Sequence, residues 1–253
     1  MCCFSKPVSV VKSTRIFARA ADEGRQFLVY SMFIKAKENL AMILPIPVKQ
    51  GSGEKAVDFI NLKEYPNFFD DLETGFIVPT KSEGGLIALP ASAAARTLEV
   101  VQVGDFEASY VPTVEDFSRL DARFRLPSAT WSKLPEYQSY GFAVFKLKEG
   151  AMNVHPMAFS FPRRDTSTLF FPTVHIHDGK VHARATFDHE LYCQPFRGDY
   201  PTFGGQWKES NGPAGHFMQV DKSKGIIEGE EHCYKREMKG LLANKDTVLT
   251  VSA

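Results

Sequence analysis

The sequence predicts a sheet-rich α+β protein, with antiparallel strands joined in hairpins and short helices at the edges. Two observations carry that prediction. β-Branched and aromatic residues fall in short runs bounded by turn formers, as in Val8-Ser9-Val10-Val11 and Arg15-Ile16-Phe17-Ala18-Arg19 ahead of Asp22-Glu23-Gly24. Stretches with helical spacing are brief and few. The 253 residues can bury a sizeable core and are read as one continuous domain, residues 1–253, with a candidate sub-division near 112–128.

Strand character continues over residues 26–35 and in Leu40-Ala41-Met42-Ile43-Leu44, after which Pro45 and Pro47 are expected to stop a central strand because neither donates to a ladder. Gln50-Gly51-Ser52-Gly53 reads as a loop. Residues 65–72 put Phe68, Phe69 and Leu72 on one face of a short helix, with acids on the other. Residues 81–85 read as loop and 98–110 as strand. Thr113 is a candidate cap ahead of the acidic turn Glu115-Asp116, and 131–137 is a short helical turn interrupted by Pro135. Strands return over 140–147, 154–161 and 169–191. Gly198, Gly204, Gly205, Gly212 and Gly215, with Pro201 and Pro213, mark 197–225 as a long irregular loop. Residues 230–242 are extended or helical, and Thr247-Val248-Leu249-Thr250-Val251 closes a sheet edge.

Lys plus Arg and Asp plus Glu balance at 30 each, so no bulk field recruits nucleic acid or an anionic membrane. No run approaches the ~18 apolar residues of a spanning helix, and no basic segment followed by an apolar one opens the chain, so a cytoplasmic setting is expected. Cys2, Cys3, Cys193 and Cys233 are too few and too dispersed for a disulfide scaffold and are expected as free thiols. Phosphate-loop, dinucleotide and Ser-His-Asp signals are absent. Trp131 and Trp207 read as core aromatics.

Cys2-Cys3, Arg15-Ile16-Phe17, Leu40-Ala41-Met42-Ile43-Leu44-Pro45-Ile46-Pro47, Val103-Gly104-Asp105-Phe106 and Gly141-Phe142-Ala143-Val144-Phe145-Lys146-Leu147 span roughly the first 160 residues. In their order they resemble a family of uncharacterised bacterial proteins, often exported, with an early cysteine-rich start. The resemblance implies continuity of fold and brings no activity with it.

All histidines lie after residue 150, and the densest stretch is Thr173-Val174-His175-Ile176-His177-Asp178-Gly179-Lys180-Val181-His182. Asp-Gly between alternating runs is a hairpin signal, because a type I′ turn needs positive φ at both central positions. That register sets His175 opposite His182 and His177 opposite Lys180. It leaves Phe170, Pro172, Val174, Ile176, Val181, Ala183, Ala185 and Phe187 as the core face. His175, His177 and His182 then share the other face, where neutral imidazoles suit a zinc or copper ion with a fourth position open to water, carboxylate or a thiolate of Cys2 or Cys3. The expectation is a metal-binding protein or metalloenzyme whose partner is a small molecule or metal ion. The plain alternative is a solvated strand face. In the same register His189 and Cys193 belong to the core face as buried residues, and His232-Cys233 has no partner at a zinc spacing.

A second chemistry begins at Cys2, whose thiol beside a free α-amine after loss of Met1 is a nucleophile with its own base. The arrangement resembles N-terminal-nucleophile amidohydrolases that begin Met-Cys, with Arg19 and Asp22 in Phe17-Ala18-Arg19-Ala20-Ala21-Asp22 at the matching spacing. The resemblance implies that Arg19 orients the thiol and Asp22 binds the amine. A third alternative is a non-catalytic binding or scaffold domain.

Overall fold

The computed structural model describes residues 2–77, 101–103, 106–126, 128–177, 180–195 and 206–250. In chain order the strands are β1 (Cys2–Phe4), β2 (Val10–Ala21), β3 (Arg25–Ala36), β4 (Leu40–Ile46), β5 (Asp58–Asn61), β6 (Val101–Val103), β7 (Phe106–Val111), β8 (Gly141–Leu147), β9 (Gly150–Pro162), β10 (Thr168–Phe171), β11 (His175–Ile176), β12 (Arg184–Gln194), β13 (Lys208–Pro213), β14 (His232–Ala243) and β15 (Thr247–Thr250). Helix α1 (Phe68–Thr74), the single turn α2 (Ser128–Trp131) and short 3-10 turns accompany them.

The strands form a six-stranded sheet ordered β11-β1-β4-β8-β7-β6, a seven-stranded sheet ordered β13-β14-β12-β2-β3-β9-β5, and a ribbon of β10 with β15. Most neighbours are antiparallel, as expected, but β1 runs parallel to β11 and β12 parallel to β2. The sheets are therefore mixed. Parallel neighbours need long crossovers, and β12 reaches β2 only after the chain has passed through the other sheet.

Three apolar clusters follow from the alternation of side chains along these strands. Leu28 and Tyr30 of β3, Met42 and Leu44 of β4, Phe145 of β8 and Phe159 of β9 fill the first, between the two large sheets. Ala41, Ile43, Phe142 and Val144, on the opposite face of the six-stranded sheet, pack under Phe117, Leu120, Trp131 and Tyr137. Phe17, Val29, Ala158 and Tyr192 of the seven-stranded sheet are covered by Phe68, Phe69 and Leu72 of α1 and by Met218, Ile226 and Ile227. Each fully buried apolar side chain of α1 contributes roughly 2 kcal/mol. Because both faces of β4 are covered, its residues are apolar throughout instead of alternating.

Several sequence-based expectations change here. Pro45 lies inside β4 and opposite Phe142, although β4 is flanked on both sides. It is tolerated because β1 pairs at Ile43 and Met42 and leaves Pro45 beyond its reach. Val8-Ser9-Val10-Val11 and Arg15-Ile16-Phe17-Ala18-Arg19 are largely one strand, β2, bent at a bulge where Ser13 has φ 55°. The Gly- and Pro-bearing stretch before residue 225 contains β13, an edge strand in which Pro213 costs no ladder bond on its open side. The Thr113 hydroxyl accepts from the Asp116 amide at 3.4 Å, but the N-cap of the 3-10 turn Glu115–Arg119 is Val114, not the expected Thr113. The loop expected at 81–85 lies outside the described residues.

The Asp178-Gly179 hairpin is the main correction. The two turn residues lie outside the described residues, but the strands on either side do not pair with each other. Phe170 pairs with Val248, His175 with Cys2, and Phe187 with Gly240. Each flank pairs with a strand far away in the chain, and those tertiary pairings outweigh the local turn signal. Of the predicted core face, Phe170, Val174, Ile176 and Phe187 are buried, whereas Val181 is 37% exposed. Among the described residues no helix is long and apolar enough to cross a membrane.

Candidate functional site

The densest cluster of titratable rings lies at the joint between the two large sheets. Strand β11, on the edge of the six-stranded sheet, supplies His175, and β12 of the seven-stranded sheet supplies His189. Burial of alternate positions along β12 puts Phe187, His189, Leu191 and Cys193 on one covered face. The Nε2 atoms of His175 and His189 are 3.0 Å apart, with ring centroids at 4.6 Å. His177 stacks against His175 at 4.7 Å and leans on Phe4, while Phe187 closes over both members of the pair at 4.5 and 5.2 Å.

Hydrogen placement follows from the neighbours. Asp188 Oδ1 lies 3.6 Å from His189 Nδ1, so a proton on that nitrogen faces a carboxylate. His189 Nε2 is then the acceptor, and His175 Nε2–H donates to it. The other Asp188 oxygen accepts the backbone N–H of Ser13 at 2.6 Å, which ties the bulge of β2 to the pair. Burial, together with the neighbouring His189 and His177 rings, pushes the His175 pKa down to about 2. Burial also lowers His189, opposed by Asp188, while Asp188 is held low chiefly by the neighbouring His189 ring. Both imidazoles are neutral at pH 7.

Of the three histidines predicted as ligands, His175 and His177 come together and His182 does not join them. His182 is exposed, and its carbonyl accepts from Asn244 Nδ2, which also bonds the carbonyl of His175. Asn244 thus bridges the two segments that the expected hairpin would have paired directly. His189 is fully buried, in line with its expected core-facing position. What sequence reasoning missed is that His175 turns inward to meet it. Among the described residues, no three His, Cys, Asp or Glu side chains are placed to hold an ion.

Cys2 is the register partner of His175. Arg19 pairs with Gln194, five positions along β12 from His189 and so roughly 17 Å away along the strand. Its guanidinium is committed to the Ile226 and Gly225 carbonyls and to Glu228, and its plane lies over Phe27. Asp22 opens the 3-10 turn between β2 and β3. Arg19 and Asp22 are therefore at the far end of β2 from the Cys2 backbone. Cys3, Cys193 and Cys233 are buried, and burial raises the thiols of Cys193 and Cys233, which makes them poor nucleophiles.

A second cluster carries no sequence signal of its own. Lys235 Nζ, on a side chain 6% exposed, lies 2.6 and 2.8 Å from the Glu73 oxygens and 3.0 Å from Glu190. Tyr192 Oη donates to Glu73 at 2.6 Å. Burial, with both carboxylates, pushes the Tyr192 phenol far up, so it stays protonated. The network ties the last turn of α1 to β12 and β14.

No family model matches the chain, and no curated protein matches it. Solved structures of similar fold do exist. Crystalline baculovirus P35 aligns over 96% of this chain and 97% of its own length, with a TM-score of 0.51 and 14% identity. A mutated baculovirus P35 after caspase cleavage aligns over 94% of this chain and 99% of its own, with a TM-score of 0.50 and 13% identity. At that identity the likeness concerns the fold.

Proposed function

We propose that this chain is a non-catalytic binding protein that engages a caspase-type cysteine protease. The observation that supports this reading is the end-to-end likeness in fold to baculovirus P35, one form of which is described after caspase cleavage. The site chemistry is consistent with a binding role. The histidine pair is neutral and covered by Phe187, the two thiols in the strand core are raised by burial, and Arg19 is committed to backbone carbonyls. In this reading the chain is an α+β protein acting in the cytoplasm, and its partner is the protease itself. The test is to titrate an active caspase with the purified chain and follow hydrolysis of a fluorogenic peptide. The expected result is loss of protease activity that approaches completion at molar excess, with any cut in the chain located by mass spectrometry. Unchanged activity together with an intact chain overturns the reading.

A second reading, transition-metal binding, is favoured by one observation: His175, His177 and His189 meet in a single cluster. The 3.0 Å between the Nε2 atoms of His175 and His189 would have to open to roughly 3.3 Å for both to reach a tetrahedral zinc at ~2.05 Å. This reading expects about one zinc or copper ion per chain. It also expects His175→Ala to remove that ion and His155→Ala to leave it. Elemental analysis showing little metal after growth with either ion, unchanged by His175→Ala, removes it.

A further inference from the structure

Where the ends of β9 and β4 approach the β10–β15 ribbon, a cavity of about 200 Å³ is lined by Pro47, Tyr140, Arg163, Arg164, Phe170 and Val248, among others. Its cations are disposed unusually. Arg163 is 7% exposed, and its Nη1 donates to the carbonyls of Thr166 and Thr168 at 2.8 and 3.0 Å. No acceptor among the described residues meets its Nε. Nor is any carboxylate of the described residues within ion-pair distance of Arg163. Nε is closed off from solvent, so Nη2, which makes no hydrogen bond to the described residues, is the donor this guanidinium leaves for a carboxylate.

The rest of the cavity complements the charge. Arg164 lies over the Tyr140 ring at 5.0 Å and donates to Ser139, which fixes a second cation at the rim. Asp165 also lines the cavity, but its Oδ1 is taken by the Ser167 amide and hydroxyl at 2.9 and 2.6 Å. Two guanidinium groups against one carboxylate leave a net positive site. Gln26, at the floor, spends its amide on both backbone groups of Phe170. Pro47, Tyr140, Phe170 and Val248 supply flat apolar walls. A buried cation without a counter-ion is costly, and burial lowers the Arg163 pKa accordingly.

We infer that this cavity is a binding site for a small organic carboxylate with a flat apolar body, held by Nη2 of Arg163 and stacked against Tyr140 and Phe170. The proposal stands apart from protease engagement and does not depend on it. Benzoate is the probe, benzamide its neutral isostere, and inorganic phosphate the test for a general anion site. The readout is the arginine Nε–H region of the nitrogen-15 spectrum of the whole chain, with the Arg163 resonance assigned by Arg163→Gln. Benzoate should shift that resonance saturably, with an affinity on the order of millimolar or tighter. Benzamide should bind at least about tenfold more weakly, because it lacks the charge that the guanidinium selects. Val248→Trp changes a residue 57% exposed at the rim and should abolish the shift while leaving the unfolding temperature unchanged. The proposal is overturned by equal binding of benzoate and benzamide, by phosphate displacing benzoate at equal concentration, by a shift that survives Val248→Trp, or by no saturable shift.

Discussion

His175 and His189 lie in an environment that opposes protonation, and the sign of the consequence is fixed. Their folded pKa values lie below the 6.5 of an ordinary imidazole, so below that pH the unfolded chain binds more protons than the folded one. The stability they confer is complete above pH 6.5 and is lost steadily on acidification, for His175 down to about pH 2. For His175 at about pH 5 this amounts to roughly 2 kcal/mol. Urea midpoints measured at about pH 7 and about pH 5 should therefore fall in the parent chain, and the fall should shrink in a His175→Leu/His189→Leu double variant. An unchanged pH slope in that variant contradicts the assigned tautomers and burial. Lys235 makes the converse case, since its loss strands two carboxylates. Lys235→Met should cost about 2 kcal/mol, less than for a fully buried ion pair because Glu73 is 34% exposed and solvent screens it. A cost near zero by chemical denaturation would show that the network is mostly solvated. Residues of this kind are the least legible in sequence. Lys235 lies in a strand with other charges, and only the arrival of Glu73 from α1 and Glu190 from β12 makes it a tie point.

At the scale of elements, the sequence was readable wherever a local pattern and the tertiary pairing agree. Phe68, Phe69 and Leu72 fall on the buried face of α1 as their spacing implies, and the apolar run of β4 is a strand covered on both faces. It misled where they compete. The Asp178-Gly179 signal specifies a turn but not the partners of its flanks, and β10, β11 and β12 are taken by β15, β1, and β14 with β2. Pro45 misled for the complementary reason, because the length of β1 decides whether its missing N–H matters. The end of α1 offers a test of packing. A Cβ at Gly75 would lie 2.6 Å from the Phe217 ring, and the Gly75 carbonyl accepts from the Asn211 amide at 2.8 Å. Gly75→Ala must displace either the ring or the strand that holds it, so it should cost about 1–3 kcal/mol. Gly75→Ala with Phe217→Leu should recover part of that loss. A single variant as stable as the parent in thermal unfolding contradicts the close approach.

For the molecule as a whole, β11 from one sheet and β12 from the other meet through the His175–His189 contact, and the β10–β15 ribbon lies beside the cavity that holds Arg163. The likeness to baculovirus P35 spans nearly the whole of both chains, at an identity too low for the sequence alone to suggest it. At such an identity the likeness concerns the fold and not individual side chains. The strand pattern could be read in the sequence, but the pairing order depends on contacts far apart in the chain and could not. The account rests on this fold being used to engage a protease. The most direct measurement is native mass spectrometry of the purified chain mixed with an active caspase, paired with size-exclusion chromatography of the same mixture. The account predicts a co-migrating complex of defined stoichiometry, with the protease inactive within it. Separate elution of the two proteins, with the chain uncut and the protease fully active, would contradict it.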